Sequence, residues 1–289
     1  MKKDQFPVFD IGQLADINQD DLLISRFAPY LAVHKNLQQA HKHNFYHLVY
    51  FTAGGGSQTI DFQKFPVNPY QVYFMIPGQV HQWNFEGSVD GYVVNFSTTF
   101  FQSFLLKTDY IDGFPFFNGN TTEAVIDIPL SQQAAVTELF EKMLKEILEK
   151  QISASDMLRL LLLEFFILVS RLGNKITPKQ ASAYNSTLLR SFRLLIEKNY
   201  LTMRLPKEYA ELLYITPNHL NALCNDLLGT QAGELIRGRI ALEAKRLLVD
   251  QEISISEIAG RLNFADNSYF TKFFKKQTGS TPEEFRKQL

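Results

Sequence analysis

The stretch Ile255-Ser-Glu-Ile-Ala-Gly-Arg-Leu-Asn-Phe-Ala-Asp-Asn-Ser-Tyr-Phe-Thr-Lys-Phe-Phe-Lys-Lys-Gln-Thr-Gly-Ser-Thr-Pro-Glu-Glu-Phe-Arg286 decides the fold of the C-terminal third. Ile255, Ile258, Ala259 and Leu262 recur at helical spacing, which predicts a short helix with one apolar face that needs a partner. Asn263 ends it. A residue just past a helix often turns left-handed, which Gly accepts best and Asn next best, so Asn263-Phe264-Ala265-Asp266 turns sharply while Phe264 drops into the core. Asp266 or Asn267 caps a second helix, in which Phe270, Phe273 and Phe274 make the buried stripe. Asn267, Ser268, Tyr269, Lys272, Lys275 and Lys276 lie on its exposed arc. Amide, hydroxyl and ammonium groups on a short capped helix suit a DNA major groove, although a merely solvated helix carries lysines as readily. Gly279 stops this helix, and Thr281-Pro282-Glu283-Glu284 starts another with a cap, an early Pro and early acids.

At Ile258, Ala259, Phe264, Ser268, Phe270, Phe274, Lys275, Lys276, Gly279, Thr281, Pro282, Phe285 and Arg286 the segment resembles the signature of the AraC/XylS family of bacterial transcription regulators. It departs at Asn263, where the family usually has Gly; the turn chemistry makes that a mild change. The resemblance implies two helix-turn-helix units in one chain, and Tyr209 to Gly229 is similar to the first of them. There Thr216 caps, Pro217 fills the first turn, Leu220, Leu223 and Leu227 face the core, and Cys224 stands where the family generally has a buried Phe. Its exposed face offers Asn218, Asn221, Ala222, Asn225 and Asp226 but no Lys or Arg. Ala232 to Val249, with Arg237, Arg239, Lys245 and Arg246 on its polar side, resembles the helix that holds the two units in successive grooves, roughly 34–36 Å apart.

The whole chain of 289 residues, 45% hydrophobic and 20% charged, is long enough for two cored domains and excludes disorder or collagen-like repeats. Its net charge of −1 hides a split: residues 187–289 carry 15 basic and 12 acidic side chains, against 14 and 18 before them. The basic excess sits with the DNA-like motifs and is small, so moderate non-specific affinity is expected. One cysteine excludes an intramolecular disulfide framework and fits a reducing cytoplasm. No apolar run follows Lys2-Lys3, so no signal peptide is expected, and Leu158 to Val169 falls well short of the roughly 20 residues of a spanning helix.

Residues 1–125 are rich in Phe, Tyr, Val and turn residues; Phe45 to Thr52, Ser57 to Phe62, Gln71 to Ile76 and Tyr92 to Phe96 read as strands, which predicts an all-β barrel or sandwich. Gly54-Gly55-Gly56 has no Lys-Ser/Thr behind it and is a turn, not a phosphate loop. From Gln132 the period changes: Val136, Leu139, Phe140, Met143, Leu144, Ile147 and Leu148 make an amphipathic helix. The next, Ser153 to Arg171, is apolar almost all round, which predicts a helix sandwiched between the first helix and the barrel. Gly173 to Asn185 lacks a period and reads as a linker.

His41-Lys42-His43, followed by Pro77-Gly-Gln-Val-His81, resembles the two motifs of the cupin barrel, with His47 at the position of the carboxylate ligand of metal-binding cupins. Four imidazoles can hold a divalent transition metal, because neutral nitrogen is a borderline-soft donor and strand residues two apart share a face. In regulators of the resembled family the barrel usually holds a small organic ligand without metal, so no metal and no cofactor is expected. Trp83 projects beside His81 and is a candidate pocket wall for a sugar or small aromatic compound, or else fills the barrel. The N-terminal arm, with Phe6, Pro7 and Phe9, is placed to close over that site.

The expectation is therefore a multidomain chain: an N-terminal all-β cupin-like barrel (1–125), a helical dimerisation segment (126–173), a linker (174–186) and an all-α double helix-turn-helix domain (187–289). Function follows as a cytoplasmic, homodimeric, sequence-specific DNA-binding regulator with no catalysis. DNA contacts are assigned to Asn218, Asn221, Asn267, Ser268, Tyr269, Lys272, Lys275, Lys276 and Arg246, and effector contacts to His41, His43, His47, His81 and Trp83. RNA polymerase enters as a partner through the resemblance alone, and no membrane is expected. A metal-dependent cupin enzyme built on the four histidines is the alternative; it leaves residues 187–289 without a role.

Overall fold

A computed structural model describes residues 7–14, 21–107, 110–172 and 183–288. They fall into two compact units, residues 7–172 and residues 183–288. Phe6, most of the expected linker (174–182) and Leu289 lie outside the described residues.

The N-terminal unit holds ten strands: β1 (Val8–Phe9), β2 (Leu22–Arg26), β3 (His41–His43), β4 (Tyr46–Ala53), β5 (Gly56–Ile60), β6 (Gln63–Pro66), β7 (Gln71–Met75), β8 (Val80–Phe85), β9 (Asp90–Phe96) and β10 (Val125–Asp127). Short helices α1 (Ile11–Leu14) and α2 (Phe27–Val33) interrupt them. Of the barrel and the sandwich that the strand pattern allows, the ladders do not close into a barrel. Among the described residues they make two five-stranded sheets, ordered β1-β3-β8-β5-β6 and β10-β7-β4-β9-β2. Every pairing is antiparallel except β1 with β3.

Strands β4, β7 and β9 are buried almost throughout, and their period of two sends alternate side chains into two different cores. Val49, Phe51, Tyr73, Met75 and Val93 join Ile60 and Trp83 of the other sheet in a core between the sheets. Leu48, Tyr50, Val72, Phe74, Tyr92, Val94 and Phe96 point the opposite way, into a core closed by α3 (Leu130–Glu149) and α4 (Ala154–Leu172). Each such fully buried side chain contributes about 1.5–3 kcal/mol. Beside the register shift of β4 against β9 between Phe51 and Ala53 stands Gly91, with φ +151°, where a Cβ would lie 2.0 Å from the Tyr50 carbonyl oxygen.

The helix sandwiched between its neighbour and the sheet, expected for Ser153 to Arg171, is corrected. Phe140 of α3 stacks on Tyr92 at 4.9 Å and on Tyr50 at 5.3 Å, while Phe166 of α4 lies 5.9 Å from Phe96, so both helices rest directly on the sheet. One flank of α4 is therefore left open, and Met157 and Leu160 are exposed despite the apolar composition.

The C-terminal unit is all helix: α5 (Ala183–Asn199), α6 (Pro206–Leu212), α7 (Pro217–Leu228), α8 (Ala232–Leu248), α9 (Ile255–Arg261), α10 (Asn267–Thr278) and α11 (Pro282–Lys287). Helix α5 begins at Ala183, so the last residues of the expected linker are helical. One core holds Phe192 of α5, Tyr209 of α6, Leu220 and Cys224 of α7, Ile240 and Ala244 of α8, Ile258 of α9 and Phe270 and Phe274 of α10.

Candidate nucleic-acid interface and a buried histidine cluster

Two helix-turn-helix units recur in the C-terminal unit, α6–α7 and α9–α10, built with the same devices. Each turn contains a left-handed non-glycine residue, Tyr214 at φ 56° and Asn263 at φ 56°. Each second helix has a side-chain cap: the Thr216 hydroxyl accepts from the His219 N–H at 3.2 Å, and the Asp266 carboxylate accepts from the Tyr269 N–H at 2.7 Å. Each ends on a left-handed glycine, Gly229 and Gly279. A capping box, Thr281 with Glu284, then starts α11.

The second turn is fastened by Arg204, which the sequence reading missed. Its guanidinium donates to the Leu262 carbonyl and, at 2.8 Å, to the Asn263 carbonyl, and it sits 4.1 Å over the Phe264 ring. Asn263 answers with a bond to the Leu201 carbonyl at 3.2 Å. Arg204 stands in the loop before α6, so only the fold brings it to the turn. Arg286 of the family signature similarly donates to the carbonyls of Leu248, Asp250 and Ile253, the last at 2.7 Å, tying α11 to the α8–α9 connection.

Helix α10 exposes Asn267 at its capped start, and Ser268, Tyr269, Lys272, Lys275 and Lys276 on the side opposite buried Phe270 and Phe274. Asn218 of α7 is exposed as well. Asn221 is half-buried, and its Oδ1 accepts from the Ala232 N–H at 3.2 Å, so it helps start α8. Arg246 needs a correction. It is 3% exposed, with Nη1 3.5 Å from Glu243, and a guanidinium inside the helical core does not reach a phosphate.

In the N-terminal unit the register brings all four predicted histidines together: His41 pairs with His81 across β3 and β8, while His47 enters from β4 in the facing sheet. All four are buried. Ring centroids lie 4.1 Å apart for His41–His81, 4.8 Å for His43–His81, 5.0 Å for His43–His47 and 5.3 Å for His47–His81. Two tautomers follow from the partners. His41 Nδ1 lies 2.6 Å from the Gln39 carbonyl, which only accepts, so the proton is on Nδ1 and Nε2 keeps its lone pair. His47 Nδ1 lies 2.5 Å from Asn95 Oδ1, with the Asn95 amide nitrogen turned 3.4 Å from the Tyr30 hydroxyl, so His47 Nε2 is likewise bare. Burial pushes the imidazole of His41 down from 6.5 to about 4, against the opposing pull of the Gln39 carbonyl, and that of His47 to about 3, against Asn95. His43 and His81 are lowered as well, first by burial and then by their histidine neighbours. At neutral pH the cluster is four uncharged imidazoles.

Trp83 is 3% exposed, 5.2 Å from Phe27, 5.6 Å from Phe85 and 5.6 Å from His81. It is packed within the core between the sheets. The arm residue Phe9, on β1 beside β3, sets its ring edge-on to His41 at 5.5 Å. A cleft of about 330 Å³ opens nearby between Asp10, Asn44, Phe45, Ser97 and Thr98, and the Phe45 ring lies 4.4 Å from His43.

Residues 33–166 match the AraC-like ligand binding domain family and residues 209–288 the Helix-turn-helix domain family. The chain is 26% identical over 254 residues to the uncharacterized HTH-type transcriptional regulator YfiF of Bacillus subtilis, covering 85% of this chain and 78% of that one. It is 28% identical over 117 residues to the uncharacterized regulator YijO of Escherichia coli, a match that spans only 40% of either chain. To the transcriptional activator RhaR of an Enterobacter it is 21% identical, over 87% of this chain and 88% of that one. With a ligand-binding domain ahead of paired helix-turn-helix units whose signature residues fill the structural roles just described, the chain belongs to the AraC/XylS-type transcription regulators.

Proposed function

We propose that the chain binds operator DNA in a sequence-specific way through α10 and, more weakly, α7, under control of a small effector at the N-terminal unit. The observation that carries this is the exposed arc of α10, where groups able to read base edges sit at the capped end and lysines follow. Asn267, Tyr269 and Lys272 read bases; Lys275 and Lys276 hold phosphates; Ser268 and Asn218 add local contacts. Lys272→Ala is expected to cost about 1–3 kcal/mol at the cognate site and to relax one operator position. Lys275→Ala weakens all sequences alike and lowers the salt slope by about one. Fluorescence anisotropy on cognate and random duplexes at several salt concentrations separates the two, and equal effects on both duplexes would refute the assignment.

The two facing sheets take a cupin-like arrangement in a sensor spanning residues 1–125, followed by a helical dimerisation segment (126–173), a linker (174–186) and the DNA-binding domain (187–289). The effector enters at the cleft beside Phe45, whose volume of about 330 Å³ suits a sugar or small aromatic compound, and acts on the His41, His43, His47, His81 and Trp83 cluster one ring further in. Because β1 pairs directly with the histidine-bearing β3, a change in the cluster alters how the arm docks. To shift anything, the effector must bind one arm arrangement better than the other. Contact with RNA polymerase and a cytoplasmic setting complete the reading. A metal-dependent enzyme is disfavoured because it leaves the helix-turn-helix match without a role.

The regulator acts as a homodimer. Leu148 is 80% exposed and Ile152 99%, and Leu160 of α4 is exposed as well, apolar side chains suited to a second copy. Leu144, by contrast, packs partly into its own core. Leu148→Asp with Ile152→Asp should give a folded monomer with weaker operator binding; an unchanged mass in light scattering removes this interface.

A further inference from the structure

We infer that residues 27–39 form a strap that follows the state of the effector cluster, and that Arg26 with Glu141 ties this strap to α3, the helix that carries Leu148 of the dimer surface. Resting on the sensor reading proposed above, this route takes a signal from the core between the sheets to the outer helices. The strap touches the cluster at three places. Phe27 sets its ring edge-on to Trp83 at 5.2 Å. The Tyr30 hydroxyl accepts from the Asn95 amide at 3.4 Å, and Asn95 Oδ1 in turn accepts from His47 Nδ1 at 2.5 Å. The Gln39 carbonyl accepts from His41 Nδ1 at 2.6 Å. Phe27, Tyr30 and Leu37 are buried in the same core, so inward side chains hold the segment down.

The outer tie is one residue away. Arg26 ends β2 and Phe27 begins α2. Alternate residues of a strand share a face, and Leu22 and Ile24 enter the core beneath α3 and α4, so Arg26 emerges on that side while Phe27 enters the other core. There the guanidinium lies 4.5 Å over the ring of Tyr92, its cross-strand partner, and donates to Glu141 Oε1 of α3. The Tyr92 hydroxyl donates to the same oxygen, and its ring stacks on Phe140 of α3 at 4.9 Å. A displacement of Phe27 on one side of the sheet therefore moves the guanidinium on the other, and one carboxylate of α3 receives it.

The strap is built to move. Helix α2 has seven residues, too few to hold a helix by itself, and Arg26 at its N-cap makes no side-chain bond to its backbone. Its first turn is met at the rim by the Asp90 carboxylate, which accepts from the Ala28 N–H at 3.2 Å. The position of α2 is thus set by what Phe27 and Tyr30 find in the core, and an effector that parts the rings changes it. The pair itself is half-exposed, with side chains 43% and 46% accessible, so alone it is a modest tie. Because Arg26 and Tyr92 share one carboxylate oxygen, loss of either is felt by the other. By reciprocity, a dimer that fixes α3 tightens the strap over the cluster.

Trp83, the single tryptophan, lies against the strap and reports on it. Acrylamide quenching of the full chain, with sedimentation equilibrium on the same samples, reads both ends of the route. Glu141→Gln should raise the Trp83 quenching constant about 2-fold and weaken the dimer about 2–5-fold, the scale of a half-exposed ion pair. Arg26→Gln should do the same, and the double variant no more than either single one, since each removes the same tie. Glu138→Gln, on the same helix but paired with Lys142, should leave both readings unchanged. Tyr30→Phe, which alters only the inner end, should weaken the wild-type dimer but not further weaken that of Glu141→Gln. Circular dichroism establishes that each variant is folded; should Arg26→Gln fail to fold, Glu141→Gln against Glu138→Gln still decides. Wild-type quenching in folded Glu141→Gln, or an equal rise in Glu138→Gln, overturns the tie. A monomeric wild-type chain refutes the dimer reading alone, and the quenching comparison decides the tie in either oligomeric state.

Discussion

Arg239→Ala is expected to destabilise the C-terminal unit by about 3–5 kcal/mol, the range for breaking one side of a buried ion pair. Its Nε donates to both carboxylate oxygens of Glu197 at 2.9 and 2.8 Å, and Nη1 to Glu243 at 3.0 Å. The guanidinium carbon lies 4.0 Å over the Tyr200 ring. Burial pulls the Arg239 pKa down, but Glu197 and Glu243 more than reverse this and hold it above its ordinary value. Removing the side chain leaves two partly buried carboxylates facing each other across α5 and α8. Because Trp83 reports only on the other unit, urea unfolding followed by far-ultraviolet circular dichroism should show an early helical transition while the fluorescence transition stays in place. A loss below about 1 kcal/mol would mean that the pair only breaks even against its desolvation.

Trp83→Ala is expected to cost the N-terminal unit a similar amount, about 3–5 kcal/mol, as a large-to-small change in a packed core. Phe27, Phe85 and three imidazoles surround the indole, so there is little for the site to collapse onto. Trp83→Phe should be milder, since the indole N–H has no hydrogen-bond partner among the described residues to lose. Thermal unfolding by circular dichroism measures both. If Trp83→Ala is as stable as the parent yet deaf to effector, the side chain borders a ligand space; a destabilised variant is the signature of a residue that fills the core.

Residues whose roles are local were legible. Asn263 in the turn, the Thr216, Asp266 and Thr281 caps, the Gly279 stop and the Phe270–Phe274 stripe are set within a few residues of chain, where conformational preference and periodicity act. Roles that depend on distant partners were not. Arg204 reads as a surface charge until Leu262 and Asn263, some 58 and 59 residues away, are brought to it. Arg246 shares a helix with other basic residues, and nothing local marks it as the one turned inward to Glu243. Strand β6 ends on Pro66 and β10 has only three residues, so neither is among the strands expected from the pattern; their partners β5 and β7 make them strands. The histidines were found through the resemblance to the cupin motifs, which implied that His47 joins His41, His43 and His81; the facing of two sheets is what brings it to the β3–β8 set.

The contrast between α7 and α10 gives the molecule a polarity along its operator. Helix α7 has no Lys or Arg in Pro217–Leu228, while α10 has three lysines in Asn267–Thr278, on scaffolds that are otherwise built alike. If both helices bind DNA as proposed, counterion release is expected to concentrate at one end, with α10 making first contact and α7 settling afterwards. Operators should accordingly be lopsided: a constrained block under α10, a permissive one under α7. A selection from randomised duplexes would display this as a gradient of information across each half-site, and a flat profile would mean that the neutral helix reads as strictly as the charged one.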